Sequence, residues 1–156
     1  MPFFMTLAAL VQVVFLAGSS NSVTINGHTF SAEVSRTFEQ RVKGLMFREE
    51  LPSDSCMLFW YNTDSKRSIW MKNVNMPLDV IWISESGEIV EIQENVPPCV
   101  TVYESQSCPE YGGLVPSRHF IEFPAGTVSK TGIKLGDIAS LELDCRNSLR
   151  MEPNFF

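Results

Sequence analysis

The chain has 156 residues, of which 44% are hydrophobic and 19% are charged, including eleven Phe and three Trp. This length and composition are sufficient for one compact domain with a hydrophobic core, and they exclude extensive disorder. The formal net charge is -6 and the pI is near 4.9, with Lys and Arg scattered along the sequence. We therefore expect no binding to nucleic acid and no attraction to anionic membranes.

The first twenty residues have the pattern of a signal peptide. An apolar run from Pro2 to Gly18 is followed by small residues that are typical of a cleavage site. The run is shorter than the roughly 20 apolar residues that a membrane-spanning helix needs. We predict a cleaved signal peptide over 1–20, a single β-rich domain over 21–146 and a flexible tail over 147–156. The product is expected to be periplasmic or secreted, without a stable membrane anchor.

A β-hairpin and a helix are predicted at the start of the domain. The pair Asn26-Gly27 favours a type I′ turn between a strand at Val23–Ile25 and a strand at His28–Val34. Thr37 and Gln40 have the spacing of a capping box, and apolar residues recur after them at helical spacing. A short helix of two or three turns should therefore follow the hairpin.

The rest of the domain is predicted to form short strands, with a long irregular segment over 95–117. These strands are expected at Met57–Tyr61, Ser68–Met71, Asp79–Ser84, Glu88–Glu94, His119–Phe123 and Ile138–Leu143. Many short strands with one short helix predict a mostly β fold, either a β-sandwich or a partly open barrel. A fold of repeated β-α-β units is not expected.

Four cysteines permit three disulfide pairings in an oxidising compartment. The favoured pair is Cys99 with Cys108, because both lie in a short polar loop with Pro at each end. Cys56 and Cys145 would then close a long loop between them. No C-x-x-C spacing occurs, so neither a thioredoxin-like site nor a zinc knuckle is predicted.

Several motifs follow one another between Glu33 and Leu143. They are RVKGLMFREELP, CMLFW, IWMKNVNMPLDVIWIS, the cysteine-containing loop, IEFPAG and GIKLGD. In this order they resemble the family catalogued as domain of unknown function 192. The chain departs from the family pattern at Cys56, where the family has Gly, and at Val74, where it lacks the hydroxyl of the family's Thr. Ile69 and Met76 are conservative departures. The resemblance implies a small, β-sandwich-like and often exported protein, and it implies no established activity.

Candidate ligand-binding residues cluster in and around the longest of these motifs. They are Arg48, Trp70, Met71, Lys72, Asn73 and Asp79. Among them Asp79 is the most informative, because strand alternation after Pro77 puts its carboxylate on the same face as two isoleucines. An unpaired charge in such surroundings is costly, so Asp79 should have a cation or several hydrogen-bond donors beside it.

Two interpretations of Asp79 are open. It could form a buried ion pair with Arg48, Arg41 or Lys72 that fixes the helix to the sheet. Alternatively, Asp79, Arg48 and Asn73 could line a pocket, walled by Trp70 and Met71, for a small polar ligand. The sequence alone does not separate the two.

Other kinds of site have less support in the sequence. No G-x-S-x-G, H-E-x-x-H, Walker or G-x-G-x-x-G motif occurs, and His119 alternates with apolar residues as a packed histidine would. Four methionines could provide a Cu(I) site, although each lies in an apolar segment where Met fills gaps in a core. These are Met46, Met57, Met71 and Met76.

We therefore predict a binding module for a small polar ligand or an envelope component, with no cofactor and no metal. Two alternatives are kept: an enzyme of unknown reaction that uses Asp79 and Arg48, and a Cu(I)-binding protein.

Overall fold

The computed structural model describes residues 21–100 and 107–144. The predicted signal peptide over 1–20, the tail over 147–156 and the middle of the cysteine-containing loop lie outside the described residues. Within the described ranges, no helix has both the length and the apolar character needed to cross a membrane.

The described part of the chain is mostly β, as predicted, with two short helices. The strands are β1 (Ser22–Ile25), β2 (His28–Ser35), β3 (Ser55–Phe59), β4 (Ile69–Trp70), β5 (Leu78–Ile83), β6 (Ile89–Val96), β7 (Glu110–Tyr111), β8 (His119–Pro124) and β9 (Ser140–Glu142), and the helices are α1 (Phe38–Lys43) and α2 (Thr127–Thr131). Strands β4 and β7 form a separate two-stranded sheet, and the other seven form one sheet in the order β6-β5-β8-β3-β2-β1-β9.

The seven-stranded sheet curls into a partly open barrel. Its neighbouring strands are antiparallel except for β2 and β3, which are parallel and are connected through α1. The two edges of the sheet meet at one end, where Glu88 and Ile138 form an isolated bridge. There the Ala139 N–H donates to the Gly87 carbonyl at 2.9 Å. These bonds bring the start of β6 to the segment before β9, so the predicted fold class is confirmed.

The predicted hairpin and first helix are both present. Asn26 and Gly27 have positive φ angles of 50° and 78°, as a type I′ turn requires. At the start of α1, the Thr37 hydroxyl accepts from the Gln40 N–H, and the Gln40 side chain accepts from the Thr37 N–H. The helix buries none of its own residues, and Phe38 is 71% exposed. The apolar side chains within this helix, Phe38 and Val42, are therefore exposed.

Two elements were not expected from the sequence. Helix α2 has five residues and lacks an apolar repeat, and its first turn is held from outside the helix by a buried carboxylate described below. Strand β7 has only two residues and lies inside the segment predicted to be irregular. Both elements are too short for local propensity to specify them.

The central strands are buried on both faces. The inner cluster, which fills the barrel, includes Val23, Ile25, Phe30, Leu58, Ile81, Ile121 and Phe123. The outer cluster lies on the opposite face of β3, β5 and β8 and includes Met57, Phe59, Val80, Trp82 and Phe120. The outer cluster is covered by the segment after α1 and by the segment around β4, so this face of the sheet is not open to solvent.

One pair of cysteines forms a disulfide, and Cys56 is a free thiol. Cys99 and Cys108 form a disulfide with a Cα–Cα distance of 6.0 Å, which confirms the favoured pair. Cys56 is a free thiol in the inner cluster, contrary to the predicted pairing with Cys145, which itself lies outside the described residues. Burial raises the pKa of Cys56 to about 12. The thiol therefore acts as a small apolar side chain.

Gly112 allows the loop after β7 to pack directly on Trp82. A Cβ atom at Gly112 would overlap the indole ring, and the ring cannot move easily because it is fully buried and its Nε1 donates to the Arg67 carbonyl at 2.7 Å. Gly132 has nearly the same φ angle, +68° against +67°, but open space around its Cβ position. Substitutions at these two glycines would cause similar backbone strain, but only a substitution at Gly112 would also cause steric overlap.

We expect Gly112→Ala to lower the free energy of unfolding by about 2 kcal/mol more than Gly132→Ala, because only the first substitution forces an extra carbon into a packed core. Urea denaturation of both variants measures the difference. Equal losses would mean that the loop can lift from Trp82 without cost.

Candidate functional site

A cavity of about 330 Å³ lies over the outer face of the sheet, between α1 with the loop that follows it and the segments around β4 and β7. Its buried residues, here termed the floor, are Leu45, Phe59, Ile69, Val74, Phe120 and Glu122. Six of its exposed and half-buried residues are here termed the rim: Val42, Lys43, Ser68, Trp70, Lys72 and Glu110. The volume falls within the range of small-molecule sites.

Glu122 is the only ionisable residue of the floor. It lies in the middle of β8, opposite Met57 on β3 and opposite Val80 on β5. The residue is 6% exposed, and its carboxyl group makes no hydrogen bond or ion pair with any described residue. Burial raises the pKa of Glu122 to about 8. The group is therefore mostly a neutral carboxylic acid at pH 7, with a proton to donate.

Tyr61 adjoins the floor and is held between two arginines. The Arg41 guanidinium lies 4.7 Å from the centre of the Tyr61 ring, and that of Arg67 lies 4.0 Å from it. Arg41 also donates to the backbone carbonyls of Arg36 and Trp60, which fixes its position. Burial raises the pKa of the Tyr61 phenol, and the arginines oppose this rise. Contacts within the protein therefore position this wall of the cavity.

The opposite wall carries the exposed aromatic side chain of the rim. Trp70 is 47% exposed, and the Lys72 ammonium lies 5.4 Å from the centre of its ring. The backbone next to Lys72 is fixed by Cys99, whose N–H donates to the Met71 carbonyl and whose carbonyl accepts from the Asn73 N–H. The disulfide loop therefore supports the cavity wall that carries Trp70 and Lys72.

The structure brings two of the six predicted ligand-binding residues, Trp70 and Lys72, to this cavity. Met71 is fully buried in the outer cluster. The Asn73 carbonyl accepts from the Phe47 N–H at 2.8 Å, and the backbone of Asn73 has a φ angle of 55°. This residue therefore joins the loop after α1 to the cavity wall.

Arg48 and Asp79 are engaged elsewhere and do not meet. Arg48 forms a two-pronged ion pair with Glu33, at 2.5 and 2.6 Å. Asp79 is fully buried and accepts from the Asn95 N–H at 2.9 Å and from the Val128 N–H at 2.8 Å. The predicted ion pair between Asp79 and a cation is therefore wrong, and so is the predicted pocket that combines Asp79 with Arg48.

Asp79 does not pair with a cation because both of its carboxylate oxygens accept hydrogen bonds from backbone N–H groups. The pairing of β5 with β6 is irregular between Leu78 and Val80, so Asn95 bulges out with a φ angle of 52°. One Asp79 oxygen satisfies this bulge, and the other satisfies the first turn of α2. The sequence predicted that Asp79 would have either a cation or several hydrogen-bond donors beside it. The structure shows the second alternative, with peptide N–H groups as the donors.

His119 is a packed histidine, as the sequence indicates. Its Nδ1 accepts from the Tyr61 N–H at 3.2 Å, and its ring stacks on Trp60 at 4.1 Å. Burial, followed by the charge of Arg118, lowers the pKa of His119 to about 4. The ring is therefore neutral at pH 7.

Metal ligands do not cluster in the described part of the chain, where no group of three or more His, Cys, Asp and Glu could hold a metal ion. Of the methionines proposed for Cu(I), Met57 and Met71 are buried in the outer cluster, Met76 packs against that cluster, and Met46 lines the cavity.

Comparison with known proteins identifies the family. The sequence profile of domain of unknown function 192 (DUF192), described as uncharacterized ACR, matches residues 21–141. The chain belongs to the DUF192 family. No curated protein matches it.

Two solved structures share the fold. A protein of unknown function from Novosphingobium aromaticivorans is 30% identical, with a TM-score of 0.65 over 76% of this chain and 83% of that one. A protein from Sinorhizobium meliloti, described as a "putative transcription regulator", is 29% identical, with a TM-score of 0.67 over 79% of this chain and 95% of that one.

The segments that resemble the DUF192 pattern converge on the cavity. The first contributes Leu45, the second Phe59, the third Trp70 and Lys72, and IEFPAG contributes Glu122. Glu122 is absent from the residues predicted from sequence, although a signal was available. After His119 its strand is apolar except for this one carboxylate, which is the pattern that singled out Asp79.

Proposed function

We propose that this DUF192 protein is a binding module for a small ligand and that the cavity is its binding site. The observation that carries the proposal is the Glu122 carboxyl group, buried at the floor without a partner among the described residues. Because Glu122 lines the cavity and has no partner among the described residues, its carboxyl group is available to form a hydrogen bond with a ligand, and the apolar floor would hold the body of that ligand.

The proposed site differs from the one that the sequence suggested, because Glu122 replaces Asp79 and Arg48 as the polar anchor. Trp70 and Lys72 are retained at the rim. A flat side chain such as Trp70 offers a large contact area to a ligand and loses little conformational freedom on binding.

A catalytic function is the second candidate. It is favoured by the raised pKa of Glu122, since a carboxylic acid with a pKa of about 8 can act as a general acid or base near neutral pH. The two functions predict different effects of Glu122→Gln. This variant would abolish turnover by an enzyme, because glutamine cannot transfer a proton, but it could still form a hydrogen bond to a bound ligand.

The S. meliloti protein is described as a transcription regulator, a role that would require nucleic-acid binding if it acted directly on DNA. The net charge of -6 opposes that function here. For the compartment, the Cys99–Cys108 disulfide supports a periplasmic or secreted location, where such bonds persist. We extend the proposal to that location, with an envelope component as the other possible partner.

The site can be tested by closing its mouth. Val42 and Leu135 are both exposed aliphatic residues, with 47% and 62% of their surface accessible. Of these two, only Val42 borders the cavity. In a fragment screen by saturation-transfer NMR, we expect hits on the wild type to be lost in Val42→Trp and retained in Leu135→Trp. Hits that survive in Val42→Trp would locate binding elsewhere, and a screen without any hits would contradict the proposal.

A further inference from the structure

The cavity has an unequal distribution of charge between its mouth and its floor. Three cationic side chains line it, those of Arg41 and Lys43 from α1 and that of Lys72 after β4. Among the described residues of the rim, one carboxylate opposes them, that of Glu110 on β7, which accepts a hydrogen bond from the Ser68 hydroxyl at 2.7 Å. A cationic ligand would be repelled at this mouth, and an anionic group would be attracted to it.

The floor requires a different chemistry. Apart from Glu122 it consists of aliphatic and aromatic side chains, two of which, Phe59 and Phe120, stack with their centres 4.3 Å apart. Such a surface suits a flat apolar body. The neutral form of Glu122 carries a proton for which no described residue supplies an acceptor. A ligand atom that reaches Glu122 should therefore be a hydrogen-bond acceptor, such as a carbonyl oxygen.

We infer that the cavity binds a small monoanionic acid with an apolar, aromatic-sized body, whose acid group lies beside Lys43 and Lys72 and whose inner end accepts a hydrogen bond from Glu122. The inference rests on the proposed function and adds the chemical class of the ligand. Its two polar requirements lie at opposite ends of the molecule, so each can be removed separately.

Four compounds of similar shape isolate these requirements. 4-Acetylbenzoate carries the anion and the carbonyl acceptor, 4-isopropylbenzoate lacks the acceptor, 4-acetylbenzamide lacks the charge, and 4-acetylbenzylamine reverses it. Titration calorimetry at pH 7 with the full chain should give the tightest binding for 4-acetylbenzoate. We expect the other three to bind about tenfold more weakly, because each loses one hydrogen bond or charge contact.

The pH dependence gives an independent test. The ionisable groups that face the cavity with Glu122 are Arg41, Lys43, Tyr61, Lys72 and Glu110. Because the acid form of Glu122 is the donor, the affinity for 4-acetylbenzoate should fall at least tenfold between pH 7 and pH 9.5. In Glu122→Gln the side-chain amide still donates, so binding should persist and this fall should disappear.

The cationic rim is tested by Lys72→Met, which keeps most of the side-chain length. We expect a loss of about fivefold or more for 4-acetylbenzoate and little change for 4-acetylbenzamide. Lys43→Met on the exposed helix surface provides a second variant if the first does not fold.

The outcomes separate the ligand class from the binding function. Tighter binding of the amide or the amine than of 4-acetylbenzoate would overturn the anionic class and leave the cavity as a binding site. An affinity that rises with pH would overturn the role of the protonated Glu122. If none of the four compounds binds at millimolar concentration while other fragments are lost in Val42→Trp, the class is wrong and the proposed function stands.

Discussion

The wild-type protein should lose about 4 kcal/mol of stability relative to Glu122→Gln as the pH rises from 4.5 to 8. The reason is the burial of Glu122 among Met57, Val80 and Phe120, which raises its pKa from 4.5 to about 8 in the folded state. In the unfolded chain the same group regains its ordinary pKa. A shift of this size between the two states corresponds to a large change in the free energy of unfolding.

The direction follows from proton binding. Between pH 4.5 and 8 the folded state keeps the Glu122 proton and the unfolded state releases it, so the folded state binds more protons. Stability therefore declines with rising pH across this window. The contribution is fully present below pH 4.5 and is lost as the pH passes through 8. Glutamine cannot ionise, so the variant lacks this contribution at every pH.

Urea denaturation of both proteins at half-unit steps from pH 4.5 to 8.5 measures the difference, and subtraction removes the titration of all other groups. Glu49→Gln serves as the control because Glu49 is exposed. Its difference from the wild type should change little. If the curves of the wild type and Glu122→Gln run parallel, the Glu122 carboxylate is solvated in the folded state and the chemistry inferred for the cavity floor fails.

The parts of the fold that the sequence predicts are those whose cause is local. The Asn26-Gly27 turn and the capping box of Thr37 and Gln40 each depend on residues within four positions of one another. Strand β7 depends instead on pairing with β4, about 40 residues away in sequence, and α2 depends on an oxygen of Asp79. Such long-range causes leave no periodic trace in the sequence.

The candidate site illustrates the same limit. A carboxylate in an apolar strand has to be satisfied, and this rule applies equally to Asp79 on β5 and to Glu122 on β8. The sequence cannot tell which of the two has donors, because the donors of Asp79 are backbone N–H groups of Asn95 and Val128. The bulge and the helix turn that present them arise only in the folded sheet.

Trp70 and Lys72 could be predicted, and Met71 between them could not be excluded from the site. Along this segment neighbouring side chains point to opposite faces. Trp70 is 47% exposed, whereas Met71 is fully buried in the outer cluster. Which face points to the cavity depends on the loop after α1 and on β7, which cover the sheet here.

Replacement of Asp79 by Asn should lower the free energy of unfolding by about 3 kcal/mol. The carboxylate accepts one N–H on each oxygen, from Asn95 at the β6 bulge and from Val128 in the first turn of α2. Asparagine keeps one acceptor oxygen and turns its amide N–H₂ toward the other donor. The variant therefore loses one charge-assisted hydrogen bond and leaves a backbone N–H unsatisfied in the core. Asp54→Asn, on an exposed residue, should remain close to the wild type.

The site of the damage distinguishes this cause from a broken ion pair. Because the lost partner is a peptide N–H, amide hydrogen exchange in Asp79→Asn should accelerate at Asn95 or Val128. It should remain slow in β3 and in β2, whose Glu33 pairs with Arg48. A variant as stable as the wild type, with both amides still protected, would mean that the bulge and α2 hold their geometry without the carboxylate. Since Asp79 faces the inner cluster, away from the cavity, the same variant should bind any cavity ligand with unchanged affinity once it is folded.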